Sequence, residues 1–147
     1  MISMKMTGAR EILRNIKRFG GDAERLEKQA VYATANAIRN DAIKSIQQKS
    51  NGGQVTRYSQ GGKPFSHTVS KPYAAPNTDT GNLVKSINTQ PLAPAKTMYV
   101  GVNADYGTWL EFGTRNMKAR PFLTPAMNEN NDFLEDYLAK KLKALIA

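Results

Sequence analysis

Residues 106–126 have the sequence Tyr-Gly-Thr-Trp-Leu-Glu-Phe-Gly-Thr-Arg-Asn-Met-Lys-Ala-Arg-Pro-Phe-Leu-Thr-Pro-Ala, and this stretch decides the fold. Its 21 positions hold the only tryptophan of the chain, two phenylalanines, two glycines and two prolines, without a usual catalytic grouping. Aromatic side chains bury large areas, and glycine and proline fix the backbone that presents them. The composition indicates a segment that positions surfaces and does no bond chemistry.

Helix signals and backbone breaks alternate around this stretch. Asp105 is suited to cap a short helix that Gly113 ends. Arg120 precedes Pro121, and a residue before proline avoids the helical region, so the chain is expected to be extended there. A final helix is predicted for residues 125–146. Its start is marked by Thr124 as N-cap and Pro125 at the first helical position, and asparagines at 128, 130 and 131 loosen its first turns.

The rest of the chain supplies further helices and a small sheet. In chain order, the predicted elements are helices at 8–19 (stopped by Gly20-Gly21) and 23–48, a loop at 50–78, a helix at 79–87, and strands at 87–90 and 96–103. The helix at 23–48 has a wide apolar sector typical of a core helix, part of which is open to a neighbouring subunit. In the second strand, apolar and other residues alternate in the half-buried pattern. The order predicts an α+β fold, with long helices packed against a small antiparallel sheet.

Length and composition favour one domain over residues 1–147. The chain has 147 residues, 40% of them hydrophobic and 22% charged, which is ordinary for a globular protein. It has no cysteine and no apolar run of membrane-spanning length, and its first residues lack a signal-peptide stretch. We therefore expect a protein without a membrane partner that is present in the cytoplasm before it assembles. The net charge of +9 raises the chance of a nucleic-acid or acidic-protein partner.

The 50–78 segment, called the arm below, carries no acidic residue. Its glycines and prolines interrupt any periodicity, and loops this long within small domains are generally functional or mobile. We expect a projecting loop or hairpin that is mobile in isolation. Cations and aromatic rings interleave along it: Arg57, Tyr58, Lys63, Phe65, His67, Lys71 and Tyr73. That pattern suits nucleic-acid stacking, and it equally suits protein docking.

Residues suited to catalysis are scarce. His67 is the only histidine and, without cysteines, cannot build a typical zinc or Cys/His site. A Ser-His-Asp arrangement around it would need a rigid environment, of which the arm shows no sign. Asp105 and Glu111 are interpreted as a helix cap and an ion-pair partner of Arg115 or Arg120, respectively. No phosphate-binding glycine motif is present. The sequence therefore predicts no enzyme, no metal site and no cofactor.

Two segments resemble a family of tailed-phage proteins. Leu-Glu-Phe-Gly-Thr at 110–114, followed by Ala-Arg-Pro-Phe-Leu at 119–123, is similar to the signature of lambdoid-type tail-completion proteins, also called minor tail or head–tail joining (neck) proteins. Thr-Gly-Asn-Leu-Val-Lys-Ser-Ile at 80–87 resembles that family's second marker. The matching motifs cover about 30 residues, and the arm is a departure whose role cannot be carried over.

The resemblance implies a structural virion protein without catalysis, acting at the head–tail junction or tail end as part of a ring. Expected partners are other copies of the chain, the tail tube or tail terminator, and the head connector, and incidental contact with genomic DNA is left open. The alternative is a basic nucleic-acid-binding module that uses the arm. We expect Pro121 to direct Phe122 and Leu123 into the core. The expected interaction residues are Arg57, Tyr58, Lys63, Phe65, Tyr73, Trp109, Glu111, Arg115 and Arg120.

Overall fold

The computed structural model describes residues 22–92 and 97–146. The elements in these ranges are α1 (Asp22–Gln47), β1 (Gln54–Tyr58), β2 (Pro64–Thr68), α2 (Asn82–Ser86), β3 (Ile87–Leu92), β4 (Thr97–Val102), α3 (Gly107–Phe112), α4 (Leu123–Glu129) and α5 (Phe133–Ile146). The predicted helix at 8–19, its glycine stop, and the middle of the turn between the sheet strands lie outside the described residues. The α+β fold class is confirmed, with helices accompanied by two small antiparallel sheets.

The 26-residue helix α1 is the centre of the molecule. No glycine or proline interrupts it, and its alanines let neighbouring elements approach closely. Leu26 and Ala30 pack with Leu134 and Leu138 of α5 in one core cluster. Farther along, α1 packs beside β4 and α4 in a second, larger core cluster. The fully or nearly buried members of that cluster include Ile38, Ala42, Ile46, Leu83, Ile87, Val100, Val102, Phe122, Leu123 and Ala126.

Strands β3 and β4 pair in antiparallel register from Ile87↔Val102 to Leu92↔Thr97. The predicted half-buried alternation in β4 is wrong, because Tyr99 and Gly101 are buried as well as the valines. Tyr99 lies over Gly101, and its ring occupies the space that a Cβ at position 101 would need. The same burial raises the pKa of the Tyr99 phenol.

The predicted final helix is two helices. The chain leaves the helical path between α4 and α5, at a buried asparagine, Asn130. Its Nδ2 donates to the Ala126 carbonyl oxygen at 2.8 Å and to Asp41 Oδ2 on α1 at 2.9 Å. The asparagine side chain thus ties the corner to the central helix and fixes the direction in which α5 leaves.

Short helix α2 follows the expected pattern, with Leu83 and Ile87 buried and Val84 partly buried. Its N-cap position is Gly81, whose φ of 77° is in the left-handed region that favours glycine. Within the described ranges, no helix combines the length and apolar character of a membrane span.

Candidate functional site

A buried carboxylate joins the two halves of the 106–126 stretch. Glu111 on α3 is only 3% exposed. Its Oε2 accepts hydrogen bonds from the backbone N–H groups of Phe122 (2.9 Å) and Leu123 (3.0 Å), and its Oε1 accepts one from Thr124 (2.7 Å). These are the free N–H groups at the start of α4, and a negative charge there is also favoured by the helix dipole. Glu111 therefore caps α4 from a different helix.

The connection between α3 and α4 begins with a tight turn. Gly113 has a φ of 78°, and its N–H donates to the Trp109 carbonyl oxygen at 2.9 Å. A Cβ at this position would lie 2.7 Å from the Met117 carbonyl oxygen, so both conformation and space require glycine. Thr114 and Met117 then exchange backbone hydrogen bonds. We call residues 107–124, held together in this way, the elbow.

The predicted capping residues of both short helices are wrong. The N-cap position of α3 is Tyr106, without a side-chain cap, so Asp105 does not have that role. Helix α4 begins at Leu123 with Phe122 at the N-cap position, so Thr124 lies inside the first turn. The physical reason is that Glu111 accepts from the N–H groups of Phe122, Leu123 and Thr124, so the helix begins two residues earlier than predicted. As predicted, Phe122 and Leu123 are buried in the core.

The predicted ion pair of Glu111 with Arg115 or Arg120 is also wrong, because no ion pair among the described residues includes Glu111, whose oxygens accept from backbone N–H groups instead. Arg115 is exposed, and among the described residues it has no ion pair. Arg120 donates its backbone N–H to the Leu110 carbonyl oxygen at 2.6 Å, and its Nη2 lies 3.4 Å from the Ser70 carbonyl oxygen. Its guanidinium thus points towards the base of the arm.

Three aromatic side chains form a stripe on the outer side of the elbow. Tyr106, Trp109 and Phe112 are 40%, 58% and 66% exposed, respectively. Residues three apart on a helix lie on the same side, so the three rings share one face. We call these residues the aromatic stripe. Of these three residues only Trp109 was an expected interaction residue, although the spacing of Tyr106 and Phe112 from it was a signal available in the sequence.

The arm contains an antiparallel hairpin, with Gln54↔Thr68 at its base and Tyr58↔Pro64 at its turn. Strand β1 is exposed along its whole length. The expected interaction residues Arg57, Tyr58, Lys63 and Phe65 all lie on this hairpin and are exposed. The expected hairpin is confirmed, and mobility in isolation stays a prediction.

The base of the hairpin is attached to the domain by an amide clamp. The Asn77 Nδ2 donates to the carbonyl oxygens of Ser50 (2.7 Å) and Thr68 (2.8 Å), and its Oδ1 accepts from the Ser50 N–H at 2.9 Å. Tyr73, at a φ of 63°, donates its backbone N–H to the Ala119 carbonyl oxygen at 2.8 Å. The arm is thereby bonded to the elbow, which brings Tyr73 and Arg120 into one region.

A charged cluster lies where the hairpin meets the segment before α2. Asp79 Oδ2 is 2.6 Å from Arg57 Nη1, and Asp79 Oδ1 is 3.5 Å from His67 Nδ1. His67 is on β2 and largely buried, so the expectation that its surroundings cannot orient it is wrong. No serine hydroxyl among the described residues bonds to the ring, so the triad is incomplete. In the same ranges no three metal-ligating side chains come together.

Residues 10–113 match the HK97-gp10-like family, described as "Bacteriophage HK97-gp10, putative tail-component". The match includes α1, the arm, α2, the β3–β4 sheet and the Glu111 helix, and it ends before the Ala-Arg-Pro-Phe-Leu segment. No curated protein and no solved structure shows a significant match.

The matched segment covers well over half of the 147 residues and supports a structural role in a phage tail. The earlier resemblance to tailed-phage proteins is therefore confirmed at the level of a phage tail component. With its buried Glu111 cap, aromatic stripe and hairpin arm, the chain belongs to the HK97-gp10-like family of bacteriophage tail components.

Proposed function

We propose that this protein is a non-catalytic virion component that completes the tail and joins it to the head, as one subunit of a ring. The observation that carries this proposal is the exposure of Trp109 and Phe112 on a rigidly held helix. Large exposed aromatics on a fixed backbone are typical of the residues that dominate protein–protein binding. Each aromatic side chain loses little conformational entropy on docking, because Glu111 and Gly113 already fix the helix that carries it.

A ring requires that two different surfaces of one chain fit each other, so that rotation around an axis closes. The aromatic stripe and the arm are two such surfaces, since they differ in shape and chemistry. Tail-tube or tail-terminator proteins on one side of the ring, and head connector proteins on the other, are the partners that such a subunit would contact. The arm supports this role because a two-stranded hairpin alone is marginally stable and gains order against a neighbour.

The test is electron microscopy of particles made by a phage that lacks this protein. If the protein joins the head to the tail, the particles should appear as full heads and separate, finished tails of normal length. Tails of aberrant length would instead assign the protein to termination of tail growth. Normal, infectious particles would contradict any structural role at the junction.

The arm also supports a second candidate, a nucleic-acid-binding module. Tyr58 and Phe65 are exposed beside the cations Arg57 and Lys63, and aromatic stacking with phosphate contacts is how single strands are bound. Arg57 is already paired with Asp79, however, which lowers the charge available to phosphates. The discriminating measurement is the affinity of the purified protein for DNA oligonucleotides between 50 and 200 mM salt. A steep decline favours this candidate.

A further inference from the structure

A cavity of about 440 Å³ lies between the base of the arm, the segment before α2 and the elbow. Its polar wall includes Asn77, Thr78 and Thr80. The charged and titratable side chains that line it are Arg57, His67, Asp79, Tyr106 and Arg120. Asp79 faces Arg57 and His67, as described above, so the single acidic group of the lining is already paired with two groups of the arm.

Arg120 is the group in the lining that lacks an anion. Its Nε is buried and has no hydrogen-bond acceptor, and its Nη2 makes one long contact, 3.4 Å, with the Ser70 carbonyl oxygen. Glu111, nine residues earlier in the chain, accepts three backbone hydrogen bonds and forms no ion pair with Arg120 among the described residues. A buried N–H donor without an acceptor is costly, and a planar carboxylate satisfies two donors of a guanidinium at once. A carboxylate that enters the cavity would therefore satisfy the free Nε donor of Arg120.

A protein carboxylate fits this cavity better than a nucleic-acid phosphate. The site is a recess between three segments, with room for a single side chain. Asp79 in the lining also repels a ligand that carries a charge on every repeating unit.

The same chain offers such carboxylates on a different surface. Four exposed acids surround the corner between α4 and α5, and we call them the acidic corner: Glu129, Asp132, Glu135 and Asp136. Residues 121–139 contain no Lys or Arg, whereas residues 42–78 contain five and no acid. Among the described residues no ion pair involves the acidic corner. Arg120 precedes α4 and Glu129 is its last residue, and this helix of 7 residues is about 10 Å long.

We propose that the cavity binds an acidic side chain from the acidic corner of a second copy of this chain, with Arg120 as the direct partner. The charge of one surface complements that of the other, and neither is satisfied within its own chain. The contact joins two different surfaces, so repetition produces a ring or a filament. This inference rests on the proposed structural role and adds the partner surface to it.

The absence of native cysteine allows a disulfide test in assembled particles. Thr80→Cys places a thiol on the cavity wall, and Asn131→Cys places one beside the acidic corner without removing an acid. Phage particles carrying the double variant should give a ladder of disulfide-linked dimers and higher multimers under oxidising conditions. Particles with a mixture of the two single variants should give dimers only. The matched control, Thr80→Cys with Gln29→Cys on the exposed face of α1, should give none.

Charge exchange tests the role of Arg120. Adding Arg120→Glu to the double variant should abolish the ladder, and so should adding Glu129→Lys with Asp132→Lys. All three changes together should restore it in part. Melting curves identify variants that fail to fold, and the two lysine changes lie on the surface, so loss of fold there is not expected.

The outcomes separate this inference from the proposed function. Two outcomes overturn the cavity assignment and leave the structural role intact. In one, the protein is present in the particles but gives no ladder. In the other, the ladder survives both charge reversals. Protein absent from purified particles overturns the structural role and the cavity assignment together. A ladder unaffected by Arg120→Glu, with DNA affinity reduced by the same change, would show that the cavity binds phosphate.

Discussion

Glu111 is the residue on which the local structure depends most. Helix α4 has 7 residues, fewer than an isolated helix needs to be stable. Its start is fixed instead by three hydrogen bonds to one carboxylate that lies 11 to 13 residues earlier. The sequence drew attention to Glu111 through its place between aromatics, yet indicated the wrong partner. A nearby arginine is visible in a sequence, whereas backbone N–H groups brought close by a turn are not.

Replacing Glu111 should therefore destabilise the whole domain. In Glu111→Gln an amide NH₂ group replaces one of the two accepting oxygens, which leaves at least one backbone donor without an acceptor. The free energy of unfolding should fall by about 2–4 kcal/mol, from the lost cap and the unsatisfied donor. Urea unfolding measures this difference. The matched control is Glu129→Gln at an exposed position, which should change the free energy of unfolding by less than about 0.5 kcal/mol. Equal stability of both variants would contradict the capping role.

Gly52 has a comparable role at the base of the arm. A Cβ at this position would lie 2.5 Å from the Ser70 carbonyl oxygen and 2.9 Å from the Lys71 nitrogen, both of them backbone atoms. Gly52→Ala should open the hairpin base, at a cost of about 1–3 kcal/mol. The rate of trypsin cleavage within the arm should then rise. Gly61→Ala is the control, because the nearest atom to its Cβ is a side-chain oxygen at 4.0 Å. Equal cleavage rates in the two variants would show that the base is not closely packed.

Helices α4 and α5 show what sequence periodicity misses. Their apolar positions are continuous enough to predict one helix, and the asparagines only weaken that pattern. The break is made by Asn130, whose side chain reaches Asp41, 89 positions earlier in the chain. Helix α1 and the short helices α2 and α3 were predictable because their signals are local. The two-sided burial of β4 was not, since it depends on how Tyr99 lies over Gly101.

The contact between α1 and this corner makes stability depend on pH. The hydrogen bond from Asn130, followed by the nearby Lys44, lowers the pKa of Asp41, against the opposing effect of burial. A carboxyl group with a lowered folded pKa stabilises the fold above its unfolded pKa, about 3.9, and that contribution is lost as pH falls through the folded value. At pH 6 the urea midpoint of the wild-type protein should be higher than that of Asp41→Asn. The difference between the two midpoints should shrink below about pH 4.

The control for this pH dependence is Asp105→Asn, which changes an exposed acid for which the structure shows no side-chain hydrogen bond. The difference in urea midpoint between Asp105→Asn and the wild-type protein should not follow the same pH profile. A difference for Asp41→Asn that stays constant from pH 6 to pH 3 would contradict a stabilising role of the ionised Asp41–Asn130 contact.

For the whole molecule, the sequence was sufficient for the fold class and the phage family. Periodic apolar positions define helices and strands, and the Leu-Glu-Phe-Gly-Thr stretch carries the family resemblance. It was not sufficient for the surface. Phe112 and Phe122 are the same residue type in one stretch, but one is 66% exposed and the other fully buried. Only the turn at Gly113 and the cap at Glu111 decide which ring faces the solvent, and both depend on contacts between separate segments.

The central claim is that the aromatic stripe docks the protein inside a phage particle, and complementation tests it most directly. Trp109→Ser with Phe112→Ser removes two exposed rings, so the domain should keep its unfolding midpoint. The control is Tyr32→Ser, which removes an equally exposed ring (57%) from α1. Each variant is supplied during infection by a phage that lacks this protein. Plaque formation with the stripe variant should be at least about 100-fold lower than with the control variant. Plaque formation equal to that of the control, by the folded stripe variant, would contradict the claim.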